Sequence, residues 1–393
     1  MKGFKTRLEL NNKQATMALQ HAGVARHAWN WCVAYCREKS AKREKLPSAI
    51  DLHKLLVKEV KKANPWYYQS SKCAPQNKTR DIQTAYTKFF QDLKSGKVQK
   101  LKSTYIAKRK SRKLPINYDI VNEIGKPQFK RKNAASDTFY LEGAIQTDKN
   151  KIKVPKFGWL KCSEQLPDCE IKNVVISRQA DEWFISFKVP LIPQIIEKKG
   201  GAVGVDLGVK TLATLSDGTI FPAIKPYRRH KRKLRRLQRV QSKRFVKGAK
   251  NQSYNYKKAS EKVAKLHQKI ANVRNNYTHK LTTYLTKNHS EIVIEDLNVA
   301  GMSKNHKMAS AILDGGFSEF RRQVEYKCKW YGSILTVVDR FYPSSKTCSC
   351  CEKVKKTLKL SERVYRCDSC GTSIDRDLNA AINLKKKAES SPV

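Results

Sequence analysis

Three acidic residues, Asp206 in AVGVDLG, Glu295 in EIVIEDL and Asp377 in IDRDLNAA, stand at the edges of apolar runs in a chain otherwise crowded with positive charge. A carboxylate delivered by an apolar strand is costly to desolvate unless a cation meets it, and a pair of divalent metal ions is a common partner. Two metals about 4 Å apart activate an attacking water and steady the leaving oxygen of a phosphodiester. The pattern therefore points to hydrolysis of nucleic acid with two Mg²⁺. Plainer readings exist beside it, since Asp-x-Gly after a strand is also an ordinary entry to a turn. Glu295 directly follows Ile292, Val293 and Ile294, so its strand delivers a carboxylate straight from a buried run. Asp375 and Asp377 lie two residues apart at the start of the helix-forming DLNAAINLKKK. Two steps on a helix turn about 200°, so at most one of them faces a shared site if both are helical.

Five of the eleven cysteines crowd into residues 348–370. Cys348 and Cys351, then Cys367 and Cys370, give two C-x2-C pairs with fifteen residues between them, a spacing that suits one tetrahedral Zn²⁺ and a small ribbon with too little core to fold alone. A Cys348/Cys350 pair is the alternative, and the matching two-residue loops favour Cys351. Lys346, Lys353, Lys355, Lys356, Arg363 and Arg366 would let such a ribbon touch nucleic acid as well as staple the chain. The other six cysteines (Cys32, Cys36, Cys73, Cys162, Cys169, Cys328) are scattered as small buried thiols are.

The charge balance names the partner class. There are 81 Lys and Arg against 34 Asp and Glu, a net charge of +47 over 393 residues. A nucleic-acid heteroduplex of about 20 base pairs presents roughly 40 phosphates, a better match to this excess than a grip on a few. With no run near the ~18 apolar residues of a membrane span and no signal-peptide core in MKGFKTRLEL, a cytosolic protein is expected.

The elements that must position the acids follow from hydrophobic period. A strand near Lys5–Leu10 precedes helices over about 12–43, 51–62 and 77–93. Residues 94–132 read as a loop-rich basic stretch, and Asp137–Val189 as short strands of a small barrel or sandwich, with the helical part an insertion. AVGVDLGVKTLATLSDGTIF reads as a hairpin, followed by a basic helix with Arg228, Arg229, Lys231, Arg232, Arg235 and Arg236, and a second helix over about 254–287. Between Thr219 and Ser290 the only acid is Glu261, against 21 Lys and Arg, so these helices are expected to pair with one facing nucleic acid. Strand acid, second strand, basic helices, strand acid, helix, strand ILTVVDRF and helix acid is the order of an RNase H-like nuclease, in which the three carboxylates can converge.

FYPSSKTCSCC, LSERVYRCDSCG, DRDLNAAINL, VGVDLGVKTLATLSDG, IVIEDLNVAGM, GVARHAWNWC and QNKTRDIQTAYTKFF together resemble the TnpB (OrfB) family of bacterial insertion sequences, relatives of the type V CRISPR effectors. The likeness spans nearly the whole chain. It implies a multidomain α+β protein: a wedge β-barrel over 1–20 and 127–195, a helical recognition lobe over 21–126, a RuvC-like nuclease over 196–347 and 371–393, and a zinc ribbon over 348–370. It implies an RNA-guided, Mg²⁺-dependent endonuclease that binds an ωRNA, recognises a transposon-adjacent motif in double-stranded DNA and helps its transposon persist in the bacterial cytoplasm; a monomer on one RNA is expected. By position it assigns the catalytic acids to Asp206, Glu295 and Asp377, with Asp377 preferred to Asp375 because it heads D-L-N-A-A, and sets Lys72 and Gln76 against the adjacent motif. Glu352 departs from the family, which usually has Gly after the second cysteine. A miniature CRISPR effector, a guided repressor without cleavage and an unguided resolvase or transposase are the competing classes.

Overall fold

Polar and apolar residues alternate through KGFKTRLE, and this segment forms strand β1 (Lys2–Glu9). The computed structural model describes residues 1–132, 137–190, 192–193, 195–249, 251–359 and 361–390. It divides into two units, residues 1–190 and 191–393. Of the segments read from sequence, residues 133–136, 191, 194, 250, 360 and 391–393 lie outside the described residues.

In the first unit, β1 is followed by helices α1 (Asn12–Ala41), α2 (Ala49–Leu55), α3 (Cys73–Lys94), α4 (Lys97–Ser111) and α5 (Tyr118–Glu123). Strands β2 (Thr138–Glu142), β3 (Gln146–Asp148), β4 (Lys151–Val154), β5 (Gly158–Cys162), β6 (Asn173–Gln179) and β7 (Glu182–Val189) complete it. β1 lies inside a seven-stranded antiparallel sheet of order β2-β6-β7-β1-β5-β4-β3, with Phe4 opposite Phe187 and Leu8 opposite Trp183. α1 serves two cores. Ala18, Ala22 and Ala25 pack on the sheet beside Phe139, Leu160 and Ile185, while Val24, Ala28, Cys32 and Cys36 pack with Leu52, Leu56, Ile82 and Tyr86. Small residues along the helix allow this close approach on both sides. Asn11 starts it through a capping box with Gln14.

Two expectations change here. Residues 94–132 are not a loop: they contain α4 and α5. Lys, Arg, Gln, Leu and Ala all favour helix, but only Val98 of α4 is buried, so the one-sided apolar period that signals a helix is missing. The expected barrel is, in its hydrogen bonding, an open sheet, because the edge strands β2 and β3 share no ladder among the described residues.

The second unit opens with an antiparallel meander, β8 (Gly200–Leu207), β9 (Thr211–Leu215) and β10 (Ile220–Pro222). Helices α6 (Pro226–Lys243) and α7 (Tyr254–Asn288), strand β11 (His289–Glu295), helices α8 (Val299–Met302), α9 (Ala309–Gly315) and α10 (Phe317–Tyr331), and strand β12 (Ile334–Val338) follow. A hairpin β13 (Val364–Arg366) and β14 (Ser373–Asp375) runs into α11 (Arg376–Glu389). The sheet order is β10-β9-β8-β11-β12, with β8, β11 and β12 parallel.

Strand alternation gives this sheet two different faces. Val203, Val205, Ile292 and Ile294 point to one side, packed with Leu281 and Leu285 of α7 and Phe320 and Val324 of α10. Between these two helices the buried Lys327 ammonium is satisfied by the His279 carbonyl at 2.8 Å and the Thr282 and Thr283 hydroxyls at 2.7 and 2.8 Å. The opposite face carries Gly204, Asp206, Val293 and Glu295. There α11 packs, with Leu384 against Val293 and Val338. α6 and α7 pair antiparallel around Leu234, Val263, Leu266 and Ile270.

Candidate active site and cysteine knuckle

β8 and β11 run parallel with Val205 beside Ile294, so the next residues, Asp206 and Glu295, leave the carboxyl ends of neighbouring strands on the same face. Open α/β sheets bind ligands at such strand ends. Gly204 lies directly beneath Ala381 of α11. From Gly204 to Asp206 the strand rises about 6.6 Å, and from Ala381 back to Asp377 the helix spans about 6 Å, one turn on the same side. The two rises keep pace, and the Asp377 and Asp206 carboxylates feel one another.

That interaction is visible in the acidity of Asp206. It keeps some surface open to solvent but sits deep in the crevice between strand and helix, and burial pushes its carboxyl up to about 7, helped by the Asp377 and Glu295 carboxylates. The Arg376 guanidinium opposes this rise. Glu295 is also raised, first by burial and then by its neighbour Asp296. Asp296 itself is engaged with Arg321 and with Arg340, whose Nε lies 3.0 Å away, and those hydrogen bonds hold it low. Among the described residues the Asp206 and Glu295 side chains are in no hydrogen bond or salt bridge, and Arg376 is the cation that partly offsets the charge of Asp206.

Asp375 and Asp377 do different work. The Asp375 carboxylate caps α11, accepting from the Asp377 amide at 2.9 Å and the Leu378 amide at 3.1 Å. Asp377 projects from the first turn, with Arg376 at 3.6 Å and Arg363 at 3.9 Å. Asp377 and Glu295 thus both act on the Asp206 carboxyl, but among the described residues the three predicted acids are not gathered within metal-binding reach of one another as the four cysteines are.

Cys348, Cys351, Cys367 and Cys370 bring their sulfurs within 4.8 Å of one another, the one such group of metal-binding side chains among the described residues. Separations of 3.6 Å for Cys348–Cys370 and 3.5 Å for Cys351–Cys367 are close to the about 3.8 Å edge of a tetrahedron of thiolates round one ion and far from a disulfide bond. Cys350 is exposed and outside the group. The Thr372 hydroxyl, 3.1 Å from Cys370 Sγ, is the leading cause that lowers this thiol to about 6. Glu352 takes the left-handed backbone, φ +62, that the family's glycine would favour. Of the knuckle cations, Lys355 pairs with Asp368 at 3.1 Å and Arg363 faces Asp377. Lys353, Lys356 and Arg366 are exposed, and Lys346 is half-buried.

On α6, Arg228, Arg229, Arg232, Arg235 and Arg236 are exposed and Lys231 half-buried, and none is in a salt bridge among the described residues. Lys225 begins the helix without a side-chain cap of its own. Buried Asp314 of α9 supplies one, accepting from the Tyr227 and Arg228 amides at 3.0 and 3.2 Å, with Arg274 of α7 at 3.4 Å. In the first unit, Lys72 is exposed at the start of α3 and Gln76 half-buried one turn on. Gly204 and Asp314 were not singled out from sequence; the small residue within the strand run AVGVDLG was the available signal for the first, and nothing local marked the second.

These features define a mixed α/β protein with several sheets. The family described as "Probable transposase" (OrfB_IS605) matches residues 186–306, and the "Cas12f1-like, TNB domain" family matches residues 317–384. A family described as "Helix-turn-helix domain" matches residues 1–45, where this chain forms a strand and one long helix. "Putative RNA-guided DNA endonuclease InsQ" of Escherichia coli (strain K12) is 30% identical over 98% of this chain and 91% of its own length. "Putative RNA-guided DNA endonuclease" of Streptomyces pristinaespiralis is 38% identical over 66% of this chain, and the match spans 64% of that relative. The cryo-EM structure of a Cas12f1–sgRNA–target DNA complex shares the fold, with TM-score 0.50 and 15% identity over 98% of each chain. The chain belongs to the TnpB (OrfB) family. No helix among the described residues is long and apolar enough to cross a membrane.

Proposed function

We propose that this chain is an RNA-guided DNA endonuclease that cuts by Mg²⁺-dependent in-line hydrolysis. The observation that carries the reading is Asp206: a half-buried carboxylate, pushed up to about 7 by burial and by two further acids, has its charged form favoured by a cation beside it. Carboxylate oxygens suit Mg²⁺, so the donor set fits the metal. Asp206, Glu295 and Asp377 would hold two such ions, which when bound supply Lewis-acid stabilisation of the phosphate and a more acidic water.

The chain's own residues account for the rest. Asp375 fixes the first turn of α11 and so the direction of Asp377. Arg321 and Arg340 engage Asp296, leaving Glu295 as the available acid of that pair. The cations of α6 bind phosphates along the nucleic-acid backbone, and Lys72 and Gln76 face the adjacent motif. One Zn²⁺ in the four-cysteine site staples a ribbon over residues 348–370. The β8–β12 sheet with its helices is read as an RNase H-like (RuvC) domain over 196–347 and 371–393, the strands of the first unit as a wedge over 1–20 and 127–195, and the helices over 21–126 as a recognition lobe. The guide would be an ωRNA and target choice its base pairing, with one chain per RNA in the bacterial cytoplasm and transposon maintenance as the outcome. The family and the relatives named as endonucleases support this reading.

Purification from the native locus tests it. A defined RNA should accompany the chain, and the complex should cut matched double-stranded DNA only with Mg²⁺. Asp206→Ala should bind RNA and DNA but not cut. Absence of a bound RNA, or cleavage undiminished in Asp206→Ala, would overturn the reading.

A further inference from the structure

A buried amide grip joins the cysteine knuckle to the helix that bears Asp377. Asn379 and Asn383 are almost wholly buried, at 0% and 1% exposure, one turn apart on α11. The Asn379 Nδ2 donates to the Thr347 carbonyl at 2.7 Å, and its Oδ1 accepts from the Ser349 amide at 2.9 Å. One side chain thus pairs with the backbone on both sides of Cys348, as a neighbouring strand would. Asn383 Nδ2 donates to the same Thr347 carbonyl at 2.6 Å and to the Ser344 carbonyl at 2.8 Å.

The other half of the knuckle reaches the same helix by a second route. Cys367 and Cys370 lie in the turn between β13 and β14, where Val364 pairs with Asp375. The Arg376 amide donates to the Arg363 carbonyl at 2.8 Å, and Asp375 caps the helix. Both ends of the four-cysteine site therefore lead, through hydrogen bonds to backbone, into the first two turns of α11. Buried amides left without partners are strongly disfavoured, so knuckle and helix have one mutual arrangement that satisfies them.

We infer that the four-cysteine site is a positioning device for Asp377, with Asn379 and Asn383 as the positioning residues that transmit its geometry. The inference rests on the nuclease reading above. An ion clamping the cysteines fixes residues 347–349, the asparagines carry that constraint to α11, and Asp377 is held at the level of Asp206. A knuckle that served only to touch nucleic acid would need no buried connection to this helix.

The test uses the zinc-loaded chain with its guide RNA and compares wild type with Asn379→Ala and Asn383→Ala. Three quantities are read: the rate at which a colorimetric chelator withdraws zinc, the Mg²⁺ concentration for half-maximal cleavage, and the affinity for target DNA in Ca²⁺. Partners just outside a metal's ligands typically alter affinity or activity about 10- to 100-fold, so the variants should release zinc and require more Mg²⁺ by about 10-fold or more, with DNA affinity little changed. Zinc release at the wild-type rate, or faster release with an unchanged Mg²⁺ requirement, would overturn the inference. Should a variant fail to fold, a chelation time course on wild type decides the matter. Cleavage must then fall in step with zinc loss while RNA stays bound, and persistent cleavage by zinc-free protein refutes the coupling. A wild-type complex that never cuts would instead defeat the functional reading, while the zinc-release comparison would still report on the grip.

Discussion

Gly204 of β8 and Ala381 of α11 meet backbone against backbone: a Cβ built on Gly204 would fall 1.9 Å from the Ala381 carbonyl oxygen and 2.8 Å from the Lys385 amide nitrogen. No side chain can yield to relieve that clash, so any larger residue at 204 must lift the helix. Gly204→Ala should therefore cost about 1–3 kcal/mol by overpacking. Because a shift of about 1 Å at a reacting group can cost about 100-fold in rate, cleavage should fall by roughly that factor while guide RNA binding is retained. Urea titration and single-turnover cleavage measure the two effects, and wild-type cleavage by the alanine variant would contradict the packing.

Asp206 makes the metal-free protein sensitive to pH. Its carboxyl rises from the ordinary 3.8 to about 7 on folding, so the folded chain binds a proton that the unfolded chain has lost. The contribution of Asp206 to stability is thus fully present below about 4 and is lost as pH rises to 7, by at most about 4 kcal/mol. In EDTA, Asp206→Asn should flatten this slope and raise the melting temperature at pH 8 while abolishing cleavage, the usual opposition of stability and function. An unchanged pH–stability curve in this variant would count against a buried, crowded Asp206.

Glu352 holds a left-handed backbone, φ +62, within the first knuckle. Its ion pair with Lys386, at 3.6 Å, joins two exposed side chains and contributes little. Glu352→Gly should relieve the backbone at some entropic cost in the unfolded chain, for a net stabilisation of about 0.5–1 kcal/mol. Denaturation of the zinc-loaded protein checks the sign; a clear loss of stability would mean the side chain matters more than the backbone.

The exposed cations of α6 should act through phosphates. Replacing Arg232, Arg235 and Arg236 together by Ala should weaken nucleic-acid binding and make log K against log salt shallower by about 2–3. Asp314→Ala removes the borrowed cap of this helix, with an expected loss of about 1–2 kcal/mol, while leaving every arginine in place. Filter binding across a salt series separates the two variants; an unchanged slope in the triple variant would place the nucleic acid elsewhere.

Much of this architecture is local enough to read along the chain. The helical period of α1, α3 and α7, the apolar runs of β8 and β11, the positive face of α6 and the twin cysteine pairs all follow from neighbouring residues. Legibility fails where the deciding partner is remote. α4 has favourable helix formers but almost no buried face, so period could not reveal it. β5 pairs with β1 across a sequence gap of about 150 residues, and its five residues carry too short a pattern to stand out.

Sequence alone singled out the side chains proposed to carry chemistry, because residue type and spacing along a strand, a helix or a C-x2-C loop are properties of the local chain. Only tertiary structure decided their employment. It turned Asp375 into a helix cap and left Asp377 near enough to raise the Asp206 carboxyl, left Cys350 outside the thiol group, pressed α11 onto Gly204, and spent Asn379 and Asn383 on the backbone around Cys348. Each of these outcomes depends on atoms brought together from distant segments, where burial and unsatisfied hydrogen bonds choose among arrangements that the local chain leaves equally open.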